Sequence, residues 1–296
     1  EGFQRSEIAN TLSYMTDVLG ARLTNSEDML RAQDWAVKEM QRIGLNNIEI
    51  EPFMDYGVSW DNTFFSLHMI EPDYQTMVGY PIAHTPGING RQKLEVVRTD
   101  IKTKADLDKY RGQLRGKAVL ASPQVPIDQN RYRDGVKRYT EEQLKDISEK
   151  PLPKSPRGPR GPANPELVGS EERNAFFKAE GVAVILESRS GWIAAVRGFA
   201  RPGAKKDKWD RKETLDHLPL VAVTPEHYNR MVRIAERNIP IKIDIEIQTK
   251  IGRKRRQARN VLGEIEGTDL KDQVVMLGAH FDTWHASPNA SDNTSG

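Results

Sequence analysis

Apolar residues recur along the chain with two periods, and the switch between them marks its elements. Ile8, Leu12, Met15 and Leu19 fall at helical spacing between Ser6, a cap, and Gly20, a stop. Met29, Ala32, Ala36, Met40 and Ile43 repeat that spacing between Ser26 and Gly44. Residues 48–53 then alternate as a strand closed by Pro52. From about Trp60 the texture changes to short strands and small helices. Strands are expected at 64–70, 94–97, 116–121, 182–186 and 218–223. Helices are expected from Thr103 to Tyr110, around Ala175–Ala179 before Gly181, and after Thr224-Pro225, a cap and first-turn pair. Ile241, Ile243, Ile245 and Ile247 alternate with Lys242, Asp244 and Glu246, the pattern of a half-buried strand. A further strand at 260–265, a polar turn at 266–271 and an unbroken apolar run at 274–277 predict a hairpin whose second strand is buried on both faces.

Composition narrows the class. The 296 residues are 37% hydrophobic and 29% charged, long enough for two globular domains. Lys and Arg exceed Asp and Glu by 44 − 42 = 2, so no global field draws the chain to nucleic acid or to a membrane surface. No apolar run approaches a membrane span. The absence of cysteine excludes disulfides and thiolate zinc sites and leaves His and carboxylates as metal ligands. Glu1 is not an initiator, so a signal peptide, though not visible, can have been removed. Six prolines between 151 and 165 exclude a regular helix or central strand there. That stretch and 188–213, rich in Gly, Arg and Lys, read as surface insertions, with an exposed helix at 137–147. The basic run Arg253, Lys254, Arg255, Arg256 and Arg259 has no interleaved aromatic residue and reads as a solvated linker rather than a phosphate-binding patch. His68, His84, His217 and His227 lack metal-ligand spacing among themselves and read as surface or packed side chains.

Polar chemistry concentrates at the end of the chain, in QVVMLGAHFDTWHASPNASDNTSG (residues 273–296). His280, Asp282, His285 and Asp292 arrive directly after the expected strand, and ligands of open α/β sheets sit at the carboxyl ends of strands. A His two residues before an Asp can bind a metal while the Asp orients its ring. Taken alone, H-x-D more often marks a satisfied polar strand end. His280 and Asp292 are 292 − 280 = 12 residues apart, too far for a helical pair, but Pro288, Asn289, Ser291 and Asn293 make a loop that can fold back.

AHFDTW at 279–284 followed by NASDNTSG at 289–296 resembles the metal-binding motif of the co-catalytic zinc exopeptidases, of the aminopeptidase and glutamate-carboxypeptidase type, with the carboxypeptidase Q branch among the nearer ones. The resemblance implies that His280 binds one zinc ion, that Asp292 bridges two, and that Asp282 is the catalytic carboxylate that accepts the other ring N–H of His280. Asn289 departs from the family's usual Gly, although Asn tolerates positive φ better than most residues. RGKAVLAS, KAEGVAVIL and LPLVAVTPEHYNRMV resemble the family's inserted protease-associated domain.

The implied fold is α/β: a mixed zinc-exopeptidase sheet flanked by helices, with a β-rich insertion. Residues 1–56 would begin the catalytic domain, 57–250 form the protease-associated insertion, and 251–296 resume the catalytic domain. The implied activity is removal of terminal residues from a peptide substrate by a metal-activated water, as aminopeptidase, carboxypeptidase or dipeptidase, in a secreted or periplasmic setting; a homodimer is compatible with it. The family's general base and remaining ligands follow its first motif, so the chain reads as an inactive fragment of a longer enzyme. Two alternatives stand beside this reading: a non-catalytic family member, and a binding module built on the protease-associated domain.

Overall fold

The computed structural model describes residues 4–127, 139–150, 164, 166–188, 200–201 and 209–286. Helix α1 (Ile8–Ser13) continues as a π-helical turn (Tyr14–Leu19) that ends at Gly20. Helix α2 (Glu27–Arg42) starts where the Ser26 side chain accepts a hydrogen bond from the Met29 amide at 3.1 Å, and Gly44, at φ 91°, follows its end.

Eight strands make one mixed sheet: β1 (Asn46–Glu71), β2 (Gln75–Thr76), β3 (Gly79–Pro81), β4 (Gln92–Arg98), β5 (Ala118–Leu120), β6 (Val184–Glu187), β7 (Leu220–Val223) and β8 (Lys242–Glu264). Their spatial order is β2-β1-β8-β4-β5-β6-β7-β3. Strands β4 to β7 are mutually parallel, and the remaining pairs are antiparallel. Helices α3 (Lys104–Asp108), α4 (Glu141–Glu149), α5 (Ser170–Glu180) and α6 (Arg211–Asp216) lie in the connections, and α7 (Pro225–Ala235) follows β7.

The continuous apolar runs of β5, β6 and β7 follow from burial on both faces. Ala118, Leu120, Val184, Leu186, Val221 and Val223 point to one core, with Tyr228, Met231 and Val232 of α7 and the four alternating isoleucines of β8. Val119, Ile185, Leu220 and Ala222 point to the other, with Leu107 of α3 and Phe176 and Phe177 of α5. The lone buried charge on β8, Asp244, accepts from Arg91 Nε at 2.6 Å.

Three expectations need correction. The strands expected at 48–53 and 64–70 are one strand, β1, paired with β8 along its whole length. Pro52 and Gly57 do not end it because register shifts at Pro52/Met54, Asp55/Gly57 and Val58/Trp60 absorb them as bulges. The basic run is not a linker but part of β8, where Arg255 faces Asp55 at 3.1 Å and Arg256 faces Glu27 at 2.8 Å. Residues 274–277 are not a buried strand: Val274 to Leu277 are 84–93% exposed, because no described strand lies beside them to supply a hydrogen-bonding edge or an apolar face. The expected hairpin with 260–265, which is the end of β8, does not form. The expected exposed helix is α4, from Glu141, and has no buried residue. The prolines of 151–163 and 165 lie outside the described residues.

Strands β1 and β8 run unbroken through 56/57 and 250/251, so the expected borders fall within one two-stranded ribbon. Its outer part, 46–54 with 258–264, carries α2, whose Gln33 Nε2 donates to the Arg259 carbonyl at 2.9 Å. At the bulged centre, Gly57 lets a third segment dock. The Trp209 amide donates to the Tyr56 carbonyl at 3.0 Å, and the Val58 amide donates to the Trp209 carbonyl at 2.9 Å. A Cβ on Gly57 would lie 2.1 Å from the Trp209 carbonyl oxygen, and its φ of +102° disfavours any side chain. Gly57→Ala should therefore cost roughly 3 kcal/mol of stability, read by denaturant titration; an unchanged midpoint would contradict this packing.

Candidate metal and substrate site

The segment 280–285 is fastened to the N-terminal segment by a fully buried arginine. Arg22 Nη1 donates to the carbonyls of Met15 at 3.0 Å and Gly20 at 2.7 Å, and its Nε donates to the Phe281 carbonyl at 3.1 Å. The guanidinium carbon lies 5.4 Å from the centre of the Phe281 ring. The Arg22 amide donates to Thr283 Oγ1 at 2.8 Å, and the Thr283 amide returns a bond to the Arg22 carbonyl at 2.9 Å. Burial lowers the Arg22 pKa from its usual value, and nearby Asp282 opposes that shift.

This clamp sets His280 and Asp282 beside Thr24. His280 Nδ1 donates to Asp282 Oδ1 at 3.1 Å, and the second carboxylate oxygen accepts from Thr24 Oγ1. With the hydrogen on Nδ1, the lone pair is on Nε2, the nitrogen that can ligate a metal. An imidazole oriented by a carboxylate suits zinc, so His280 and Asp282 fit that ion. Among the described residues no group of three or more His, Cys, Asp or Glu could hold a metal. Asp292, the expected bridging ligand, lies with Asn289 outside the described residues.

His285 does not join His280. Its Nε2 donates to the Pro81 carbonyl at 2.5 Å, and its ring meets Trp60 edge-on at 4.8 Å. Burial pushes its pKa down to about 4, against the Pro81 carbonyl. His84, read only as a surface or packed histidine, is buried at the wall of the site. Its ring stacks on Trp209 with centroids 3.7 Å apart and planes within 1°. Neither of its ring nitrogens has a hydrogen-bond partner among the described residues. Burial first, then Arg201 and His285, push its pKa down to about 3. Elsewhere, His68 stacks on Tyr74 and His227 Nδ1 accepts from the Val78 amide at 2.9 Å, away from the site.

A cavity of about 190 Å³ opens between these groups, lined by Leu23, Thr24, Tyr56, His84, Ala200, Trp209 and residues 280 and 282–284. Burial pushes the Tyr56 phenol up to about 12, against hydrogen bonds with the Thr24 and Trp209 side chains. Sequence reasoning reached His280 and Asp282 but missed Arg22, Thr24, Tyr56 and Trp209. These come from distant parts of the chain, and no local spacing connects them.

Residues 260–296 match the family described as Peptidase family M28. Over 294 residues the chain is 21% identical to carboxypeptidase Q of Pongo abelii and of Homo sapiens, covering 96% of this chain and 51% of each relative. The chain is a member of the co-catalytic zinc exopeptidases. Enzymes of this family are zinc-dependent, typically with two ions. In fold, the chain is similar to a peptidase M28 precursor from Shewanella amazonensis SB2B, with TM-score 0.55 and 17% identity, over 95% of this chain and 55% of that one. It is also similar to BSAP, a zinc aminopeptidase from Bacillus subtilis, with TM-score 0.53 and 13% identity, over 98% and 54%. The chain thus spans about half the length of the relatives it matches.

Two outcomes test this geometry. Arg22→Met leaves three carbonyls without their donor and should cost roughly 2–4 kcal/mol, read by thermal and denaturant unfolding. The two buried histidines make stability depend on pH. Their folded pKa values lie below the ordinary 6.5, so the unfolded chain binds more protons in between. Stability should be fully present above about pH 6.5 and fall as pH drops towards about 4. His285→Phe should flatten that fall, and a melting temperature unchanged between neutral pH and pH about 5 would contradict the burial of both rings.

Proposed function

We propose that this chain carries the first metal motif of a zinc-dependent exopeptidase, an aminopeptidase, carboxypeptidase or dipeptidase acting on the ends of peptides. The observation that carries the reading is the Thr24–Asp282–His280 chain of hydrogen bonds at the mouth of a cavity, within the segment that matches the peptidase family. His280 would hold one zinc ion through Nε2 and Asp292 would bridge two. When bound, zinc supplies Lewis-acid polarisation of the peptide carbonyl and lowers the pKa of water. Asp282 keeps the His280 ring in the Nδ1–H tautomer and raises the basicity of Nε2. Thr24 fixes the carboxylate that does so. The general base and further ligands would come from sequence beyond residues 1–296.

The domain organisation proposed with this function is a catalytic domain begun by 1–56, interrupted by a protease-associated domain at 57–250 and resumed at 251–296. Its support is the shared outer ribbon: both ends of the chain meet there and on α2, while the two large cores belong to 57–250.

In the complete enzyme, His280→Ala should remove most zinc and activity. Asp282→Asn should keep the fold and weaken zinc binding or turnover roughly 10–100-fold, and Thr24→Val should act in the same direction with a smaller effect. Residues 1–296 alone should bind zinc weakly and hydrolyse no peptide, since zinc sites need three or four protein ligands. Metal analysis by mass spectrometry and hydrolysis of aminoacyl anilides and dipeptides read these outcomes. Unchanged zinc stoichiometry in His280→Ala would overturn the assignment.

A further inference from the structure

The cavity beside His280 has walls from segments that no motif connects. On one side stand His280, Asp282, Thr283 and Trp284; on the other stand Tyr56, His84 and Trp209; Leu23 and Ala200 complete it. We propose that this cavity is a specificity pocket that takes the uncharged apolar or aromatic side chain of the substrate residue next to the scissile bond, with the His84–Trp209 stack as its wall. The inference rests on the exopeptidase reading and adds to it the class of side chain accepted.

Size and charge both support it. An engineered apolar cavity of about 150 Å³ takes up benzene, so about 190 Å³ accommodates a benzyl or isobutyl group. A charged side chain finds no counter-ion in these walls. Both oxygens of Asp282 are engaged, one by His280 and one by Thr24. The Arg201 guanidinium faces the Trp209 ring at 5.4 Å and donates to Glu213 Oε2 at 3.3 Å, so its charge is already paired. His84 is neutral throughout the physiological range because burial and Arg201 disfavour its protonation. Tyr56 stays protonated. The π surface of Trp209 is already in contact with His84 and Arg201, which leaves less of it for a cationic side chain. Burying an unpaired charge costs far more than burying a hydrocarbon gains, so the walls select against Asp, Glu, Lys and Arg.

The pocket is also built rather than incidental. Trp209 reaches it only because Gly57 lacks a side chain, and its backbone is held on both sides by β1. The His84 backbone adopts φ 58°, a conformation uncommon for a side-chain-bearing residue, to set its ring against Trp209.

The test fills the cavity. In the complete enzyme, Ala200→Leu should lower kcat/KM for phenylalanyl and leucyl substrates at least 10-fold, on the order expected for a filled apolar pocket. Turnover of the glycyl analogue and zinc content should stay within about 2-fold of the parent enzyme. Equal losses on all substrates, or a parent enzyme that prefers charged side chains, would overturn the pocket while leaving the exopeptidase reading intact. Benzyl alcohol gives a second readout that needs no activity. The parent protein should bind it with shifts in the indole NMR signals of Trp209 and Trp284, and Ala200→Leu should abolish those shifts. Binding that leaves both indoles unshifted, or no binding at all, would refute the pocket directly. Absence of zinc and of all hydrolysis would instead refute the exopeptidase reading.

Discussion

A buried guanidinium must find acceptors or cost several kcal/mol, and that constraint shapes the functional end of this chain. Arg22 satisfies it with the carbonyls of Met15, Gly20 and Phe281. The first two close the π-helical turn on itself; the third reaches across more than 250 residues of sequence to the segment with the metal motif. The reciprocal bonds between Arg22 and Thr283 then fix that segment in register. His280 and Asp282 flank the fixed residues, so their position follows from where one arginine can be solvated by backbone.

The same logic explains why residues 274–277 are exposed while 281–283 are held. The clamp acts on one side of the motif only. On the other, the apolar run has no described strand beside it, and an apolar sequence without an edge to pair with does not become a strand. The ribbon of β1 and β8 supplies the second support. Its register shifts between Pro52 and Trp60 fall beside the site, where bulges re-aim side chains. Tyr56, Gly57 and Trp60 all come from this stretch, and each meets a residue of the site: Thr24, Trp209 and His285.

Much of this was legible in the sequence, and the gaps have physical causes. The Ile241–Ile247 alternation, the Ser26 cap and the Thr224-Pro225 start depend on local periodicity, and each formed as expected. His280 and Asp282 were readable because two residues suffice to hold the ring-orienting bond. The length of β1 was not, since Pro52 and Gly57 are local stop signals that bulges override. Residues 274–277 were misread because burial depends on a partner and not on composition. The basic run looked like a linker because its neutralising partners, Asp55 and Glu27, lie some 200 residues away. His84 and Trp209 carry no motif at all, and only the docking of one loop over Gly57 brings them together.

The most direct test of the central claim is heteronuclear NMR of the complete protein with cadmium in place of zinc and isotope-labelled histidine. The account predicts metal–nitrogen coupling at Nε2 of His280, with Nδ1 carrying the hydrogen shared with Asp282. Coupling at Nδ1, or a bound metal that shows no coupling to His280, would contradict it.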